Sequence, residues 1–145
     1  MLVHQILKSK ADDAVVTVTP KTTVAEAAKT LAQRKIGTVV ISNDGMHANG
    51  ILSERDIVRE IGRKGASVLH DPVEAHMTAQ IVTCTRDDSA DSLLQQMTNG
   101  RFRHMPVLEG DQLVGLVTLG DVVKARLTEL AMEKDALEGL SLIHI

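Results

Sequence analysis

Gly50-Ile51-Leu52-Ser53-Glu54-Arg55-Asp56-Ile57 returns, 65 residues further on, as Gly115-Leu116-Val117-Thr118-Leu119-Gly120-Asp121-Val122. In both octets a glycine opens an apolar run, a hydroxyl residue ends it, and an aspartate follows three positions later. That spacing is close to a helix capping box, with Asp in place of Glu or Gln. Each octet therefore reads as a strand running directly into a helix.

The match extends upstream. Val15-Val16-Thr17-Val18-Thr19 returns 66 residues later as Ile81-Val82-Thr83-Cys84-Thr85, and Thr23-Val24-Ala25-Glu26 as Ser89-Ala90-Asp91-Ser92. These segments predict a short β-branched strand over 15–18 and again over 81–85. Val24, Ala27, Ala28 and Leu31 then make an i, i+3, i+4, i+7 stripe, repeated by Ala90, Leu93, Leu94 and Met97, which is the pattern of a half-buried helix. Thr23 with Glu26 fits a capping box, and Ser89 is the equivalent cap. Two strands follow in each copy, about 38–42 with 49–53 and 104–108 with 112–118, joined by Asn43-Asp44-Gly45 and Glu109-Gly110-Asp111. The fold class is therefore α+β: two β-α-β-β-α units packed about a pseudo-two-fold axis, because one unit of this size is marginal alone.

In chain order the units span 1–62, with the N-terminal segment included, and 77–128, with a linker over 63–76 and a helical extension over 129–145. In the linker, Asp71-Pro72 predicts a short helical turn, with Asp as cap and Pro in the first position. Leu127, Leu130, Ala131 and Leu137 on the extension suggest a docking or dimer surface, or equally packing onto the chain's own domain.

Composition narrows the function. Of 145 residues, 16 are Lys or Arg and 19 are Asp or Glu, a formal charge of −3 that does not suit a general nucleic-acid binder. Aromatics are 1% of the chain, a single Phe102, so base stacking on aromatic side chains is excluded. No apolar run reaches the ~20 residues of a membrane helix, and the lone Cys84 forms no disulfide within the chain. The expectation is a soluble cytoplasmic protein with neither nucleic acid nor membrane as partner. The six histidines lack metal-ligand spacing, and no nucleophile motif or phosphate-cradling loop of the P-loop kind is present, so no metal and no catalysis is expected.

The duplicated octet, together with Arg103-His104-Met105-Pro106-Val107, resembles a pair of CBS domains, a Bateman module, over about residues 1–130. The resemblance implies a regulatory module without catalytic cofactor. It would bind adenosine-containing ligands (AMP, ADP, ATP, NAD(H) or S-adenosylmethionine) between its repeats, pair into a homodimer and signal to an effector protein. Carried over by residue, one pocket holds Ser53, Arg55 and Asp56 with Thr83, Phe102, Arg103, His104 and Pro106. The other holds Thr118 and Asp121 with Thr17, Ile36, Gly37 and Thr38.

An aspartate carboxylate accepts hydrogen bonds from both ribose hydroxyls, and a helix start offers free N–H groups to phosphate. The same spacing fits capping alone, and the two roles are compatible. Arg55, Arg103 and His104 suggest tighter phosphate binding in the first pocket. In the second pocket Gly120, Gly37 and Thr38 supply no charge, and Lys10 is the candidate to compensate. Val40 stands where the other repeat has Pro106, so the two pockets are expected to differ. The alternative function is a structural dimerisation module with empty clefts.

Overall fold

The computed structural model describes residues 1–10 and 14–143. Helix α1 (Val3–Ser9) leads into β1 (Thr17–Val18), α2 (Val24–Arg34), β2 (Thr38–Ile41), β3 (Gly50–Ser53) and α3 (Glu54–Lys64). Two 3-10 turns, Ala66–His70 and Val73–Ala75, lead to α4 (Ala90–Gly100), β4 (His104–Glu109), β5 (Gln112–Thr118) and the long α5 (Leu119–Ile143). The two repeats are thus present as an α+β pair.

In the first repeat β1 runs parallel to β2, and β3 pairs antiparallel with β2, aligning Thr38 with Ser53 and Ile41 with Gly50. In the second, β4 and β5 pair antiparallel, with a register shift between Val107 and Leu108. The strand expected over 81–85 is reduced to one parallel bridge, Cys84 to Val107. The reason is a single missing proton. In the first repeat the Val40 N–H donates to the Val16 carbonyl at 3.0 Å. The residue equivalent to Val40 is Pro106, which has no N–H to offer Val82. Only the bonds on either side survive, Cys84 N–H to Pro106 O at 3.0 Å and Leu108 N–H to Cys84 O at 2.8 Å.

The predicted stripes are the buried faces: Val24, Ala27 and Leu31 on α2, and Ala90, Leu93 and Met97 on α4. Thr23 and Ser89 cap these helices, their hydroxyls accepting from Glu26 N–H at 3.2 Å and Ser92 N–H at 3.1 Å. Each stripe joins a separate core, one around Leu52 and Ile57, the other around Met105 and Val117.

The arms are exchanged. Val3, Ile6 and Leu7 of α1, which precede the first repeat, pack in the core of the second. Val68 and Val73, which precede the second, pack in the core of the first. The hydrogen bonds match pairwise: Ala90 N–H to Met1 O at 2.9 Å mirrors Val24 N–H to Asp71 O at 2.9 Å, and Val3 N–H to Asp88 O at 2.9 Å mirrors Val73 N–H to Thr22 O at 2.7 Å. Chain order therefore puts the N-terminal segment with the first repeat, whereas packing puts it with the second. The duplicated glycine has its reason here. A Cβ on Gly50 would lie 2.5 Å from Met77 Sδ and 2.9 Å from the Thr78 carbonyl, and one on Gly115 would lie 2.9 Å from the methyls of Leu7. The first arm thus sets backbone against its strand at Gly50, and the second sets the end of a side chain against Gly115.

The linker turn differs from expectation in one detail. Pro72 is extended and flanks the turn Val73–Ala75, while the Asp71 carboxylate bonds His76 Nε2 at 2.8 Å instead of capping. On α5, Leu127, Leu130, Ala131 and Leu137 are all exposed.

Candidate functional site: two clefts between the repeats

Both octets end in the capping geometry their spacing predicts. Ser53 N–H donates to Asp56 Oδ2 at 2.9 Å and Asp56 N–H to Ser53 Oγ at 3.2 Å; Thr118 N–H donates to Asp121 Oδ2 at 2.9 Å and Asp121 N–H to Thr118 Oγ1 at 3.1 Å. The first N–H of each helix is also taken, Glu54 by the Gly37 carbonyl at 2.9 Å and Leu119 by the Arg103 carbonyl at 2.8 Å. These bonds fasten the starts of α3 and α5 to the loops ahead of β2 and β4.

Between those helix starts lies a central cleft of about 550 Å³. The first repeat lines it with Gly37, Ser53, Glu54 and Arg55, and the second with Arg103, His104, Thr118 and the α5 residues Leu119, Gly120, Val123, Lys124 and Leu127. Beside it lies a cleft of about 360 Å³, lined by Lys10, Ala14–Val16, Arg34–Thr38, Leu116 and Thr118. Gly37 and Thr118 line both.

The predicted pockets are redistributed by this geometry. Ser53, Arg55, Arg103 and His104 meet, but in the central cleft beside Thr118 and Gly37. Ile36, Gly37, Thr38 and Thr118 meet in the side cleft, which Lys10 also lines. Asp121 sits behind them, its Oδ2 2.9 Å from Lys10 Nζ. Asp56, Thr17, Thr83, Phe102 and Pro106 line neither cleft. Asp56 is turned to Arg59 at 3.0 Å, and Thr17 pairs with Val40 in the sheet. Phe102 lies over Gly100, where a Cβ would come within 2.4 Å of the ring, and packs on the core of the second repeat. Pro106 is buried opposite Leu116 in the β4–β5 pair. Thr83 is half-buried beside the bridge at Cys84.

Arg34 and Lys35 were not singled out by the sequence reading, although their place at the end of α2, just before Ile36, is a usable signal. Lys35 turns the chain there in the left-handed region, at φ 54°. Val123, Lys124 and Leu127 lie one turn apart on α5, below the octet. Thr38 is buried, with its hydroxyl donating to Leu52 O at 3.0 Å, so only its lone pairs remain for a ligand.

Electrostatics separate the titratable groups. Burial opposes the Asp121 charge, but the Thr118 N–H and the Lys10 ammonium outweigh it and hold its carboxyl below the usual range. Burial also holds His104 below its ordinary value against the pull of Glu54 and Asp56, with Arg103 adding to the depression, so its imidazole is neutral at pH 7. Cys84, buried in the second core, has its thiol pushed up to about 12 by burial, which leaves no thiolate for nucleophilic chemistry. Among the described residues no group of three or more His, Cys, Asp and Glu could hold a metal ion, and no helix is long and apolar enough to cross a membrane.

The CBS domain family matches residues 7–63 and 73–128. The crystal structure of a CBS-domain containing protein from Agrobacterium tumefaciens is 42% identical, covers 87% of this chain and 99% of its own, and superposes with a TM-score of 0.82. A mitochondrial CBS domain-containing protein of Arabidopsis thaliana is 33% identical over 130 residues, which are 85% of this chain and 63% of that protein. Two structures share the fold at 23% identity and a TM-score of 0.77. One is a CBS domain protein from Pyrobaculum aerophilum complexed with AMP, covering 91% of this chain and 99% of its own. The other is a CBS domain pair in complex with 5′-methylthioadenosine and S-adenosyl-L-methionine, covering 89% and 98%.

Proposed function

The chain belongs to the CBS domain family, and from that premise we propose that it is a regulatory module whose inter-repeat clefts bind an adenosine-containing ligand: AMP, ADP, ATP, NAD(H) or S-adenosylmethionine. The observation that carries this reading is the side cleft. It brings the aliphatic Val16 and Ile36, the backbone of Gly37 and the oxygens of Thr38 and Thr118 together with Lys10, behind which stands the Asp121 carboxylate. Aliphatic walls suit a purine in a chain with one aromatic residue, and a carboxylate suits a ribose diol. The central cleft adds Arg55, Arg103 and Lys124 for anionic groups. The function is regulatory and not catalytic, with occupancy passed to an effector protein. The single buried thiol suits a reducing compartment such as the cytoplasm.

Val58 on α3 is 70% exposed, and its repeat equivalent Val123 on α5 is 40% exposed, with Leu127 beside it at 62%. These paired apolar faces support association with a second copy as a homodimer. Isothermal calorimetry against AMP, ADP, ATP, NAD(H) and S-adenosylmethionine tests the binding reading, with the mass of any co-purifying small molecule as an independent check. Binding by at least one is expected, with a matching rise in Tm. If none binds at millimolar concentration while the protein sediments as a dimer, the clefts are structural and the helices are the functional surface.

A further inference from the structure

Helix α5 carries two apolar faces. One is used within the chain, where Val122 and Ala125 are buried in the core of the second repeat. The other is Val123, Leu127, Leu130 and Leu137, which are 40%, 62%, 49% and 68% exposed. With Lys134 these positions advance by four, three, four and three residues, the d, a, d, a, d series of a heptad. At 3.6 residues per turn all five fall within a stripe about 80° wide. A stripe that narrow is the seam of a coiled coil, whereas the face a helix lays on its own core is wider. All of 131–138 is exposed, so this stretch receives little support from the repeats, and helices without tertiary packing are marginal in water. Helix α3 has no such seam: it has Gly62 where α5 has Leu127, and it ends at Lys64.

The charges beside the seam select what covers it. Its flanking e and g positions hold Lys124 and Arg126 in the first half and Glu133 and Glu138 in the second, so the seam runs from basic to acidic. A second copy laid parallel sets Glu133 against the partner's Glu138 on both edges and forms no opposite pair. Laid antiparallel about Met132, it sets Lys124 against the partner's Glu138 twice and Leu127 over the partner's Leu137. The two Glu133 carboxylates then meet at the axis with a Lys134 beside each, the lysine stem lying over the partner's Leu130. Within one chain Glu138 has only a loose contact with Lys134, at 3.9 Å. We propose that the α5 seam from Val123 to Leu137 is an interface with α5 of a second copy, laid antiparallel. The inference rests on the homodimer reading above and names its surface and direction; such a contact is self-complementary and closes at two chains.

The test measures the dissociation constant of the ligand-free dimer by sedimentation equilibrium, with circular dichroism to check that each variant is folded. Wild type is expected to dimerise. Leu130→Asn combined with Leu137→Asn, neither of which lines either cleft, is expected to weaken the dimer by at least about tenfold. Glu138→Lys alone is expected to weaken it, and Lys124→Glu added to that change is expected to restore it, because the pair returns in reverse. A parallel pairing predicts the opposite for Glu138→Lys, since the new lysine would face the partner's Glu133. If the double leucine variant dimerises as well as wild type, the seam is overturned and the homodimer reading stands on the Val58 face. If Glu138→Lys tightens the dimer, the antiparallel direction is overturned. If wild type is monomeric at every concentration, both the seam and the homodimer reading are overturned.

Discussion

Asp56 and Asp121 occupy equivalent places in two copies of one motif, and their backbones are capped by the same pair of hydrogen bonds. Their side-chain partners differ. Asp56 meets Arg59 on its own helix, a local pair with Arg59 more than half exposed, whereas Asp121 meets Lys10 from the far end of the chain. The sheets repeat the lesson, since Val40 donates where Pro106 cannot. Duplication kept the backbone plan, and single side chains gave the halves different electrostatics and different strand lengths. A local pair such as Asp56–Arg59 adds little stability, but the Lys10–Asp121 pair fastens the segment after α1 to the second repeat.

The strongest challenge to the two-core picture is to hollow out each core in turn. Leu52→Ala and Leu93→Ala, both fully buried, are expected to cost about 2–5 kcal/mol each. Because the arms are exchanged, either variant should still melt in one calorimetric transition. Two separated transitions would show that the repeats fold independently.

Next in size comes the contrast between the duplicated glycines. Gly50→Ala pushes a methyl against the Thr78 carbonyl, which accepts from the Ile51 N–H at 3.0 Å, while Gly115→Ala meets only the ends of the Leu7 side chain. Overpacking of about 1–3 kcal/mol is expected for Gly50→Ala and less for Gly115→Ala, measured by urea denaturation. Equal losses would mean that the arms fit the two strands alike.

His104 stands where the first repeat has Thr38, so only one side of the pseudo-symmetry titrates near neutrality. Its imidazole is held below the ordinary value of 6.5, so in the window just beneath 6.5 the unfolded chain binds a proton that the folded chain does not. Stability is complete above that value and falls as the pH drops through the window. In His104→Gln this part of the slope should disappear from denaturation curves taken between pH 7 and 5; an unchanged slope would remove His104 as its source.

The smallest effect belongs to Pro106→Val. The new N–H can donate to Val82 as Val40 donates to Val16, a gain of about 0.5–1.5 kcal/mol, against about 0.4–1 kcal/mol for the freed unfolded backbone. Stability should barely change. The amide of the new residue should instead be protected in hydrogen exchange, and rapid exchange there would show that the strand is shortened for another reason.

Much of this was legible in the linear pattern. The stripes on α2 and α4, the hydroxyl caps, the duplicated octet and the family all follow from residue types at fixed spacing, because local hydrogen bonds and helical periodicity act over a few residues. The arm exchange was not. Val3, Ile6 and Leu7 announce that α1 must be buried, but hydrophobicity carries no address, and only the packing directs them to the second repeat. The pockets suffered likewise: the family resemblance carried Phe102 into a pocket, whereas its ring lies over Gly100 and packs on the second core. The lost strand was readable in principle, since Pro106 in register with Val40 removes a donor that can be counted.

The exchanged arms also bear on ancestry. A chain holding one repeat and its arm has the same apolar face to cover and the same glycine at its strand. Two such chains could satisfy every bond by trading arms. The present molecule has the geometry of that trade, with a linker run between the partners.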